Sequence, residues 1–75
     1  MKLLYIKWHD STSQQGGIWH DRESVEKMRP LQIVTVGWII SETKKYITLA
    51  SSITKHQVSG DICIPKSCIK KIKEL

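Results

Sequence analysis

Seventy-five residues with 40% hydrophobic content make one small domain, residues 1–75, with a modest core. Such a chain is marginal alone, so self-association is an expected way to cover apolar surface. Twelve Lys and Arg against seven Asp and Glu give a formal charge of +5, which favours anionic partners or simply aids solubility, and no apolar run is long enough to span a bilayer.

Residues 2–9 alternate, with Leu4, Ile6 and Trp8 on one face and Leu3, Tyr5 and Lys7 on the other, which predicts a strand. The lysines in this opening stretch and the lack of a small-residue cleavage site argue against a signal peptide. Residues 10–17 are polar and end in Gly16-Gly17, a loop. Residues 20–29 are charged and helix-compatible, with His20 or Asp21 near the start and Pro30 just beyond the end. Val25 and Met28, three apart, would dock this short helix on a barrel.

Residues 32–41 and 46–52 are the most strongly patterned part of the chain and read as a strand pair. A two-residue turn at Thr43-Lys44 would set Ile40 against Ile47, Trp38 against Leu49 and Val36 against Ser51. The expected core is then Val34, Val36, Trp38, Ile40, Ile47 and Leu49. The opposite face carries Gly37 across from Ala50, small residues that mark either close approach of a backbone or ligand, or a bend of the sheet.

Residues 53–59 form a polar connection, residues 60–64 a short strand with Ile62 and Ile64 on one face, and Pro65-Lys66-Ser67 a turn. Residues 68–75 close the fold as one helical turn or as an edge strand. The expectation is a mainly β fold, a five-stranded SH3-like or Sm-like small barrel with one short helix in the first long connection.

One tripeptide occurs twice, Trp8-His9-Asp10 and Trp19-His20-Asp21, on either side of the glycine loop. A ring to stack on a base, an imidazole donor and a carboxylate acceptor could form a ligand pocket, with Gly16 and Gly17 letting the backbone approach a phosphate. The alternative is structural: Trp8 in the core and Asp21 capping a helix. Lys44, Lys45 and Lys66, together with Lys55, Lys70, Lys71 and Lys73, could rim an anion site or form a solvated face.

Ser11 or Ser13 beside His9 and Asp10 lacks the separation and nucleophile elbow that acyl transfer needs, so no enzyme is expected. Cys63 and Cys68, five residues apart, with His9, His20 and His56 lack zinc-site spacing; buried reduced thiols in a reducing compartment are expected, with neither metal nor cofactor.

Residues 38–51 (WIISETKKYITLAS) and 61–69 (DICIPKSCI), with Trp8-x-Asp10 and Gly17-x-Trp19, resemble small phage and prophage proteins of unknown role. The resemblance implies a virus-encoded accessory protein in a bacterial host cytoplasm. Small phage β proteins of this kind include counter-defence factors, some of them oligomers that sequester nucleotide immune signals. The combined expectation is an oligomeric, non-enzymatic protein that captures an anionic nucleotide-type ligand. The alternatives are a module that blocks a host protein and an Sm-like RNA-binding ring.

Overall fold

A computed structural model describes residues 1–13 and 17–75. The elements run β1 (Leu3–Asp10), α1 (Arg22–Glu26), β2 (Leu31–Glu42), β3 (Tyr46–Ile53), β4 (Val58–Pro65), a 3-10 turn (Lys66–Cys68) and β5 (Ile69–Glu74). All strand pairs are antiparallel, in the order β4-β3-β2-β1-β5. The last segment is therefore an edge strand. The sheet is open, since β4 and β5 are its two edges and do not pair.

The open sheet nevertheless curls. Leu4, Ile6 and Trp8 of β1 share one core with Ile47 and Leu49 of β3 and Ile64 of β4, although β2 and β3 separate β1 from β4 in the strand order. Ile33, Ile39, Ile62, Cys68 and Ile69 pack around that cluster. Trp8 is buried and its indole Nε1 donates to Thr35 Oγ1 at 3.0 Å, which satisfies its only polar atom.

The expected face of β2 is reversed. The hairpin turns at Lys44-Lys45, one residue later than predicted, with Thr43 N donating to Tyr46 O at 2.9 Å. Thr43 Oγ1 also accepts from Lys45 N and Tyr46 N, which locks the turn. Glu42 then pairs with Ile47, but a bulge between Ile39 and Ser41 shifts the register, so that Ile39 pairs with Leu49 and Trp38 with Ala50. Because side chains alternate with period two, one extra residue sends the whole of the preceding strand to the other side. Ile33, Thr35, Gly37 and Ile39 face the core, in line with Trp8, Ile6 and Leu4 of β1. Val34, Val36 and Ile40, expected inside, are 51, 46 and 39% exposed, and Trp38 is half-buried on the outer face. Ile47 and Leu49 are core as expected.

Gly37 marks close approach of a backbone. A Cβ there would lie 2.9 Å from the Ala50 carbonyl oxygen and 3.1 Å from Leu49 Cβ. Gly60, in β4, has φ +64 and faces Ser51, whose hydroxyl donates to Ser59 O at 3.3 Å.

The helix is shorter than residues 20–29. Asp21 caps it, its carboxylate accepting from Ser24 N at 3.3 Å, and Lys27 ends it. It buries no residue, and Val25 is 44% exposed, so the expected docking on the sheet does not occur. Val25 and Met28 instead line a hollow of about 320 Å³ with Thr12, Ser13, Gly17, Ile18 and His20. Residues 11–13 and 17–30 thus stand off the sheet. The radius of gyration, 15.7 Å, exceeds the ~11 Å of a compact chain of this length, in keeping with that excursion.

Candidate functional site

The two Trp-His-Asp words have different fates. Trp8 lies in the core with its N–H already used, whereas Trp19 is 98% exposed. Asp10, at the end of β1, accepts from Ser11 N at 2.8 Å, and Asp21 caps α1. His9 pairs with Gln32 on the outer face of the sheet. His20 and Gly17, whose φ is +55, meet in the hollow beside α1. Gly16 lies outside the described residues. The first word is therefore divided between core and surface, because neighbours on a strand point to opposite sides.

Lys44, Lys45 and Lys66 do come together. The β2–β3 turn supplies the first two, and the 3-10 turn after Pro65 supplies the third. Lys66 N donates to Lys45 O at 2.8 Å and joins the two turns. With Tyr46, Pro65 and Ser67 these lysines line a hollow of about 560 Å³. Lys66 Nζ is held by Glu42 Oε2 at 2.6 Å, so Lys44 and Lys45 are the lysines of this group without an ion-pair partner among the described residues. Tyr46 is 47% exposed and lines the same hollow. Sequence reasoning placed the lysines at an anion rim but missed Tyr46 and Ser67, although Tyr46 directly follows the Lys-Lys turn.

Lys44, Lys45 and Lys66 line one hollow, and Gly17, Ile18 and His20 line another. Residues 11–13 and 17–30 lie beyond the Asp10 and Leu31 ends of β1 and β2, while the lysine hollow lies beyond Glu42. Eleven residue steps along β2 separate those ends, up to about 36 Å for an extended strand.

Cys63 and Cys68 form no disulfide; Cys68 is half-buried, but Cys63 is exposed rather than buried as expected. Cys63 pairs with Thr48 on the outer side, opposite in sense to its neighbours Ile62 and Ile64. No helix among the described residues is long and apolar enough to cross a membrane. No family model, curated protein or solved structure matches the chain.

Proposed function

We propose that this chain is a non-enzymatic binding protein for an anionic, nucleotide-type ligand, seated at the hollow of Lys44, Lys45, Tyr46, Lys66 and Ser67. The observation that carries this reading is the convergence of those lysines, from two separate turns, beside a half-exposed tyrosine. Ammonium groups would neutralise phosphate, the phenol ring would stack on a base, and the Ser67 hydroxyl would donate to an oxygen. The bond from Lys66 N to Lys45 O supports preorganisation of the rim, which lowers the ordering cost of binding.

The finer reading is an SH3-like or Sm-like barrel acting as an oligomeric, phage-type counter-defence factor in a bacterial cytoplasm. In favour of the barrel are the β1-to-β4 meander, the return of β5 to β1 and the 3-10 turn before it. In favour of an oligomer are the two unpaired edges and the exposed apolar side chains. Titration calorimetry against mono-, di- and cyclic nucleotides tests the ligand class. Lys44→Gln/Lys45→Gln should weaken the best ligand at least about tenfold, by analogy with charge-assisted contacts. Absence of binding across the panel, or no change in the double variant, refutes the assignment.

A host-protein blocker is the second reading, and one observation favours it: Trp19 and Ile18, 98 and 67% exposed, stand on the arm that leaves the sheet. Exposed tryptophans of this kind are typical interface anchors. Trp19→Ala should then abolish capture of a single host protein while leaving nucleotide affinity unchanged; an unaltered capture would exclude the arm.

A further inference from the structure

The register places a second basic surface on the opposite side of the molecule's core, on the outer face of β5, β1 and β2. Three cross-strand rows build it. Lys71, Lys7 and Val34 form one, Lys73, Tyr5 and Val36 the next, and Leu3 with Trp38 the third. Val34 and Val36 are 51 and 46% exposed, and Tyr5, Lys7 and Trp38 are half-buried. The face thus combines two aromatic rings with a row of cations and an apolar floor. Within these rows there is no carboxylate: the acidic residue aligned with them, Asp61, lies across Ala50 on β4.

Lys7 and Lys71 are direct cross-strand partners. Like charges in that position repel, and none of the ion pairs among the described residues involves Lys7, Lys71 or Lys73. Edge protection explains lysines on β5 but not a lysine on β1, which is paired on both sides. An anion with several phosphates spaced along the strands would relieve the repulsion.

We propose that this face binds single-stranded nucleic acid without sequence preference, with phosphates on Lys7, Lys71 and Lys73 and bases stacked on Tyr5 and Trp38. Rings flanked by a basic track are the recognised way of holding a single strand, because every base offers a π-face. A duplex hides those faces and would gain only the charge.

Fluorescence anisotropy of labelled oligothymidylate and oligouridylate with the intact protein tests this. Three phosphate contacts give a salt slope of about −2, hence roughly 20-fold weaker binding between 50 and 200 mM salt. Lys7→Gln/Lys71→Gln/Lys73→Gln should remove binding and its salt dependence. Lys27→Gln/Arg29→Gln/Lys55→Gln removes the same charge elsewhere and should retain most of the affinity. Tyr5→Leu should cost at least about fivefold through lost stacking. The proposal is overturned if no binding occurs at 50 mM salt up to about 100 μM protein, the weak end of non-specific affinities. Equal losses in the two triple variants would also overturn it, as would a duplex or polyglutamate binding as tightly as the single strands.

Discussion

Replacing Gly37 by alanine should destabilise the domain, against the usual sign of that change. Within a strand, exchanging glycine for alanine normally stabilises by about 0.4–1 kcal/mol, because the unfolded chain loses freedom. At Gly37 the new methyl would sit 2.9 Å from the Ala50 carbonyl oxygen and 3.1 Å from Leu49 Cβ. Neither obstacle is the end of a flexible side chain: one is backbone, and the other belongs to a fully buried leucine. β2 and β3 would have to part by several tenths of an ångström, and such overpacking costs about 1–3 kcal/mol. The net expectation is a loss of about 1–2 kcal/mol, a large share of the ~4–11 kcal/mol typical of a domain this size. Thermal unfolding followed by circular dichroism should show a drop of about 5–15 °C. Urea unfolding should show a lower midpoint with an unchanged slope, the mark of lost stability without a change in the exposed surface. A midpoint equal to or above that of the parent protein would refute the close approach of β3 and the reasoning built on it.

Ile6→Ala should cost about 2–5 kcal/mol, since Ile6 is fully buried at the centre of the cluster, and a urea midpoint within error of the parent would contradict that placement. Trp8→Phe and Thr35→Val remove the two ends of one 3.0 Å bond; a double-mutant cycle on urea stability should return a coupling of about 1 kcal/mol, and additive losses would show the bond to be absent in solution. Trp19→Ala should shift stability by less than about 0.5 kcal/mol because the ring is 98% exposed, and a larger loss would mean that the arm packs on the sheet. Glu42→Gln frees Lys66 from its 2.6 Å ion pair; calorimetry should find a severalfold tighter nucleotide complex for less than about 1 kcal/mol of stability, and weaker binding would count against the lysine hollow.

Much of the strand pattern is legible in the chain itself. Alternation in residues 2–9 puts Leu4, Ile6 and Trp8 on one face, and the structure buries that face. Ile47 and Leu49 are equally plain. The reversed face of β2 is not legible, because both of its faces are rich in apolar residues: Val34, Val36, Trp38 and Ile40 compete with Ile33 and Ile39. Hydrophobicity cannot choose between two such sets, so the one-residue bulge between Ile39 and Ser41 decides. Thr43 moves the turn by accepting bonds from Lys45 and Tyr46, a local contact that periodicity does not reveal. Apolar residues at Val25 and Met28 predict a docked helix, yet a helix of one turn has little face to bury, and this one buries none of its residues. At the lysine hollow, charge clustering identifies Lys44, Lys45 and Lys66, while their convergence depends on the bond between the two turns. The two copies of the Trp-His-Asp word have different surroundings for a geometric reason, since one lies on a strand and the other in a connection.

The extra residue at the bulge of β2 also bears on how this chain should be aligned with others. A gap of one position near Ile40 would ordinarily be scored as a minor difference between two homologues. Here it would exchange lining for exterior along the seven positions from Ile33 to Ile39, because the phase of the strand is set at that point. Two sequences differing by that gap could keep nearly every apolar letter and still present different surfaces. Column-by-column comparison would then match a wall residue of one protein with a solvent-facing residue of the other, and substitutions tolerated in the first would be harmful in the second.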